Sequence, residues 1–471
     1  MTFRLALRSL AARPVRSAVL SCGFGLGIAV AASLLGIGEV ILEQARAPEL
    51  TGGGDLMVSG SAGRVDNVRF LTASVLTAPP FAGRVAVASP SSRTTLYLVR
   101  PGGTEKVYAR AGIPSLERGL GDPETSLVAA WQDTRADRAW VAPDPGELLR
   151  GMDRFHEIPA VPARADSWAE WLYFNGQAGT TRFYLTFMTG PRTEHGRRAA
   201  WVRLQLAREG RVVNYSEAAE VDEHDLLERA PDLSIGNSSV RLEGTRYRVT
   251  IDLPAEDEAG SATRGSENIR GEIVLQATPG RSVPPLSVRG LEGWVSGYVV
   301  PVLSGPLAGI LWHGEERIVL DGGTGYHDHN WGFWKGVSWQ WGQVAGEGLS
   351  FVYGRIFPPR DAADPERMPG FMTVVGPEGP IAYSLDVRID ELDDDEGRPS
   401  RIKVRSRGAT LDLEMQLTVD DLTISRIRNA TSPGRELDFM QMRATYRVTG
   451  RLDGRAIEFS ALGSAETFRG R

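Results

Sequence analysis

Between Gly325 and Gly332 stand Tyr326, His327, Asp328, His329, Asn330 and Trp331, six consecutive side chains able to titrate, ligate or stack. Two of the six histidines are here. Six of the eleven tryptophans (Trp294, Trp312, Trp331, Trp334, Trp339 and Trp341) fall in or close to the same stretch. On a strand, alternation places Tyr326, Asp328 and Asn330 on one face and His327, His329 and Trp331 on the other. Two different chemistries are therefore on offer.

The Tyr-x-Asp-x-Asn face suits acid catalysis. A carboxyl among tryptophans loses the solvation that stabilises its anion, so it keeps its proton toward neutrality. Such an acid can protonate an alkene, an oxygen or a leaving group. Aromatic faces can stabilise the resulting cation, each by about 1–2 kcal/mol when desolvated. Tyr326 and Asn330 would orient the acid or hold a water. The alternative is structural: Asp328 accepts bonds from backbone and indole N–H groups and pins a seam between domains. The His-x-His face suits zinc or iron, provided His313 or His156 supplies a third ligand. Without one, His327 and His329 are expected to hydrogen-bond and pack behind Asp328, and neither metal nor cofactor is assigned.

A second cluster, Trp168-Ala169-Glu170-Trp171-Leu172-Tyr173-Phe174-Asn175-Gly176, puts Trp168, Glu170, Leu172 and Phe174 on one strand face. Glu170 there is either the partner of an arginine or histidine, or a second carboxylate in a cavity. Trp168, Glu170, Trp171, Trp331, Trp339 and Trp341 are the expected substrate contacts.

Strands must hold both clusters, and from about residue 165 the chain reads as β. Short alternating runs at 181–187, 201–206, 246–251, 272–275, 351–353, 382–387, 410–415 and 442–448 are separated by turn signals such as Glu209-Gly210, Glu243-Gly244 and Asp453-Gly454. Strands at this spacing over some 300 residues predict two sandwiches or closed barrels. A barrel of about eight strands leaves room for one small apolar ligand. The acidic run Asp390 to Glu396 is expected to be a solvated loop rather than a calcium site. Asp144 to Arg150 predicts a short helix, and residues 51–150 a spacer or small β-rich domain.

A length of 471 residues allows two to four domains. The net charge of −6 and scattered arginines give no reason to expect nucleic acid. Cys22, the only cysteine, excludes intramolecular disulfides and thiolate clusters. It lies in Ala18–Gly38, an uncharged run long enough to span a bilayer. Arg4, Arg8, Arg13 and Arg16 precede the run and Glu39 and Glu43 follow it. The charge asymmetry predicts a single-pass anchor in the cytoplasmic membrane with the bulk of the chain extracytoplasmic or periplasmic; a cleaved signal peptide is the alternative. Residues 8–16, Arg-Ser-Leu-Ala-Ala-Arg-Pro-Val-Arg, with the Gly/Ala-rich run behind them, resemble the opening of macrolide-exporter and cell-division permeases. That resemblance implies an ABC exporter as a partner. No further spanning run and no phosphate-binding loop accompanies it, so the chain is no transporter by itself.

Glu170-Trp171-Leu172-Tyr173-Phe174, the run from Gly325 to Gly332, and Gly463-Ser464-Ala465-Glu466 together resemble the carotenoid 1,2-hydratase (hydroxyneurosporene synthase) family and its AttH-like relatives. The resemblance covers about residues 155–471. It implies a mainly β fold of two tandem lipocalin-like antiparallel barrels, at 151–335 and 336–471; the anchor expected at 1–50 from its charge pattern stands ahead of them. It implies acid-catalysed hydration or cyclisation of an isoprenoid or lipid, with Asp328 as proton donor and Tyr326 assisting. The hydratase branch carries a His-x-Trp pair upstream of a proline, where this chain has Gly297-Tyr298-Val299-Val300-Pro301. An apolar-ligand binding module without turnover is the alternative function.

Overall fold

The computed structural model describes residues 15, 56–58, 65, 68–77, 84–122, 130–141, 144–256, 262–263, 268–428 and 436–470. The expected anchor and its permease-like lead fall outside these residues. Among the described residues no helix is long and apolar enough to cross a membrane. They group into two compact units, one holding 86–137 and the other 66–85 and 138–470.

In the first unit, β1 (Ser91–Arg100) and β2 (Gly103–Gly112) form an antiparallel hairpin. The helix Pro114–Gly119 follows. Arg110 bridges the buried carboxylates of Glu117 and Asp122, lying 2.6 Å from Asp122 Oδ2. Here the spacer region holds a hairpin and short helices.

The second unit is mainly β. Its first sheet contains β3 (Trp168–Ala178), β4 (Thr181–Arg192), β5 (Arg198–Arg208), β6 (Arg211–Val221), β7 (Leu233–Ile235), β8 (Ser238–Glu243) and β9 (Arg246–Leu253). It continues with β10 (Ala255–Glu256), β11 (Ala262–Thr263), β12 (Ile269–Gln276), β13 (Val283–Arg289), β14 (Val295–His313), β15 (Glu316–Val319) and β16 (Gly323–Phe333). The second sheet is built from β17 (Ser338–Gly346), β18 (Leu349–Phe357), β19 (Phe371–Gly376), β20 (Gly379–Ser384) and β21 (Asp386–Asp393). β22 (Pro399–Arg407), β23 (Leu411–Arg428), β24 (Glu436–Leu452) and β25 (Arg455–Gly470) complete it.

The first sheet runs β11-β10-β6-β5-β4-β3-β16-β14-β12-β9-β8-β7, with β13 and β15 also on β14; the second runs β20-β19-β18-β17-β25-β24-β23-β22-β21. The first curls until β7 lies against β5 and β6, and the second until β19 and β20 approach β21 and β23. Alternation drives the curl: on β9 Tyr247, Val249, Ile251 and Leu253 point inward while their neighbours stay wetter. Each such side chain contributes about 1.5–3 kcal/mol when fully buried. Each sheet wraps its own apolar core, and a third cluster of Tyr173, Tyr298, Tyr326, Trp341 and Phe371, among others, fills the seam between them. Glu209-Gly210 and Asp453-Gly454 make the expected hairpin turns, with φ of 50° and 77° in the first and 48° and 75° in the second.

The acidic run departs from its expected loop. Asp390 to Asp393 belong to β21, and only the residues after them form the turn. Lys403 stands opposite Asp390 and Arg401 opposite Leu392, while Arg469 pairs with Asp393 at 3.0 Å. Basic residues on the paired strand β22 and on β25 neutralise the run and let it extend.

Candidate functional site

β16 lies between β3 and β14, so both of its faces are covered. Its register sets Asp328 opposite Tyr173 and Trp331 opposite Glu170 on β3, and Asn330 opposite Tyr298 on β14. Gly332, at φ 147°, permits the close approach to β14: a Cβ there would lie 2.5 Å from the Val295 carbonyl oxygen. As alternation requires, Tyr326, Asp328 and Asn330 turn to the seam, and His327, His329 and Trp331 turn into the core of the first sheet.

On the seam face Asp328 is 5% exposed. Tyr326 OH donates to its Oδ2 at 2.7 Å and Asn330 Nδ2 to its Oδ1 at 2.6 Å. Trp341 Nε1, from β17, donates to Tyr326 OH at 3.1 Å. Asp328 makes no ion pair with a lysine or arginine among the described residues. Burial pushes its carboxyl well above the ordinary carboxylate range; the Tyr326 and Asn330 bonds oppose this, and the charge of Glu466 adds to it. Glu466 reaches the seam from β25 and accepts from Tyr173 OH at 2.5 Å, and Gln441 Nε2 donates to that same hydroxyl at 3.2 Å. Burial raises Glu466 to about 7 against those bonds. Tyr298 stacks on Phe371 with centroids 4.8 Å apart, and Trp341 meets both edge-on at 5.1 and 5.3 Å. Two carboxyls that burial shifts toward their neutral forms thus share an aromatic seam.

The other face carries charge of the opposite kind. The helix Pro145–Met152 is capped by Asp144, which accepts from Gly146 N and Glu147 N at 2.8 and 3.1 Å. Its exit delivers Asp153, Phe155 and His156 to β16. Asp153 Oδ2 accepts from Tyr247 OH at 2.5 Å and lies 3.0 Å from His327 Nε2, while His327 Nδ1 lies 3.0 Å from the Tyr173 carbonyl oxygen. Phe174 stacks on His327 at 4.1 Å. Glu170 Oε1 lies 2.9 Å from His329 Nε2 and 2.7 Å from His156 Nδ1, and the His156 backbone N–H donates to both of its oxygens at 3.0 Å. Burial opposes charge on His329, but the nearby Asp153 and Glu170 carboxylates prevail and lift it to about 9. Burial likewise opposes the Glu170 anion, and His156 and His329 outweigh it and bring it down to about 2. Asp153 is held below the usual range in the same way, burial being overcome by His327 and His329. His156, Glu170 and His329 present ligand atoms within 4.8 Å of one another, a geometry able to hold a metal ion.

The expected substrate contacts divide between these faces. Trp171, packed 4.6 Å from Trp334, Trp339, stacked 4.2 Å from Phe468, and Trp341 lie on the seam side. Trp168, edge-on to Phe333 at 5.2 Å, Glu170 and Trp331 lie on the histidine side. Glu170 is a histidine partner, the first of its two readings. His313 packs edge-on to Tyr215 at 6.0 Å and takes no part; His156 does. Gln441 and Asp153 were not singled out by sequence reasoning, and Tyr173 and Glu466 entered only as members of longer motifs. Each depends on a strand or loop far from residue 326 in sequence, and only the neighbouring motif residues hinted at Tyr173 and Glu466.

No family model matches the chain, and no curated protein does. Among solved structures, CghA with Sch210972 is 14% identical, covering 64% of this chain and 88% of that one at a TM-score of 0.44. An AttH-type protein from Nitrosomonas europaea is 17% identical, covering 67% and 96% at 0.41. Kievitone hydratase from Nectria haematococca is 12% identical, with the same coverage and TM-score.

Proposed function

We propose that this protein is an acid catalyst acting on an apolar, alkene-bearing ligand, with Asp328 as proton donor, on two lipocalin-like barrels at 151–335 and 336–471 of the carotenoid 1,2-hydratase and AttH kind. The supporting observation is the Asp328 carboxyl itself, lying in an aromatic seam and held by a hydroxyl and an amide, with no lysine or arginine paired to it among the described residues. The Asp328 proton passes to one alkene carbon, and the cation left on the other faces Tyr298, Trp341 or Phe371. Water adds to that cation and gives up a proton to the Asp328 carboxylate left by the first step, forming an alcohol and restoring the acid. Capture of the cation by a second double bond, with loss of a proton, is the cyclase outcome. Tyr326 and Asn330 orient the acid, and His327 and His329 sit behind it.

Residues 18–38 would tether this domain to the cytoplasmic membrane on its outer side, a placement that protease accessibility of intact cells tests. The permease-like residues 8–16 favour a second reading, in which the same protein carries an isoprenoid or lipid for an exporter without changing it. Incubation of the purified full chain with a polyene bearing a terminal isopropylidene group, in heavy water, separates the two. Deuterium incorporation by wild type and not by Asp328→Asn is expected. Binding of the polyene with no incorporation would leave the carrier reading in its place.

A further inference from the structure

We propose a second site on the opposite face of β16: His156, Glu170 and His329 form a two-histidine, one-carboxylate seat for a divalent transition-metal cation. The site stands independently of the acid chemistry at Asp328.

Three features support the seat beyond the donor set. The first is convergence. Glu170 Oε1 is faced by His329 Nε2 at 2.9 Å and by His156 Nδ1 at 2.7 Å, and the His156 backbone N–H fixes the carboxylate in place. Neighbouring ligands around a cation bonded at about 2.0–2.2 Å sit roughly 3.0–3.6 Å apart, so a small outward movement of the two rings admits it. Binding would displace the protons that the imidazoles now share with Glu170.

The second feature lies behind His329. Its Nδ1 faces Asp153 Oδ1 at 3.6 Å, just beyond hydrogen-bond length, and both atoms are buried without a hydrogen-bond partner. A ligating imidazole ordinarily gives its other N–H to a carboxylate. A small shift of the ring would pair these two atoms while aiming Nε2 at the cation. Asp153 is itself anchored by Tyr247 OH.

The third is access. Glu170 and His329 are fully buried, but the His156 side chain is 40% exposed. A cation can arrive from that side and keep open positions for water or a ligand. Trp331, stacked on His156 at 4.3 Å and 19°, holds the exposed ring in orientation. Two imidazoles and one carboxylate with open positions suit zinc, and equally the iron(II) or manganese class.

The test is titration of the chelator-treated full-length protein with Zn2+ and with Co2+, followed by calorimetry, metal analysis and the visible spectrum of bound Co2+. One equivalent is expected to bind and to raise the melting temperature, with chelator reversing the shift. His156→Ala, at a half-exposed position, is expected to weaken binding at least about 100-fold, and Asp153→Asn about 10–100-fold. Glu170→Gln should abolish the Co2+ spectrum while leaving the fold intact by circular dichroism. His195→Ala and His224→Ala, at exposed positions, should change nothing. Failure of wild type to take up one equivalent would overturn the proposal. So would uptake that survives His156→Ala unchanged or is lost in His195→Ala or His224→Ala.

Discussion

Asp328 and His329 are joined by one peptide bond and live in opposite electrostatic surroundings. Asp328 meets neutral donors and aromatic rings, whereas His329 lies between two carboxylates. Asp328→Asn keeps the shape and removes the acidic proton, together with an anion that is costly to form there. It should lower turnover about 100-fold or more while leaving the melting temperature level or higher, read by product analysis beside calorimetry. Glu466 supplies a pH signature. Its carboxyl is raised from 4.5 to about 7 on folding, so between those values the folded protein holds a proton that the unfolded chain has released. Stability is then greatest at or below pH 4.5 as far as this group is concerned and falls as pH rises to about 7, by at most about 3 kcal/mol. Urea midpoints across that range should show the decline, and Glu466→Gln should flatten it.

At the scale of elements, β16 carries both faces of the site. Its alternation was legible because both faces need side chains of distinct type, and a period of two sorts them without ambiguity. Its two neighbours were less so. β3 was visible from its aromatic cluster, but nothing in the order of residues said that β14 would lie on the other side. Gly332→Ala should cost more than about 2 kcal/mol, since a Cβ would collide with the Val295 carbonyl. Because it displaces the strand, it should impair both the acid face and the histidine face, a joint loss readable in turnover and in metal uptake. The acidic stretch Asp390–Asp393 shows the reverse limit: read alone it is a solvated loop, and Lys403 and Arg469 from other strands make it part of one.

At the scale of the whole second unit, the acid face exists only because two sheets meet over it. Tyr326, Asp328 and Tyr173 come from the first sheet, and Trp341, Gln441 and Glu466 from the second. Trp341→Ala removes a buried ring and the donor to Tyr326, and should cost about 3–5 kcal/mol. It should also lower Asp328-dependent turnover at least tenfold, although residue 341 lies on the other sheet. Equilibrium unfolding and product analysis on the same preparation would check both, and a loss of stability with turnover intact would remove Trp341 from the site.

The amino-acid order by itself determined that this is a β-rich chain, that its densest run of titratable and aromatic side chains lies between Gly325 and Gly332, and which residue there faces which way. Those properties follow from composition and a two-residue period, both local. Tertiary structure alone decided what each face meets: Glu466 and Trp341 on one side, Asp153, His156 and Glu170 on the other. Burial and charge belong to the surroundings of a group, and surroundings drawn from another sheet, or from segments more than a hundred residues away, are set only when the sheets close.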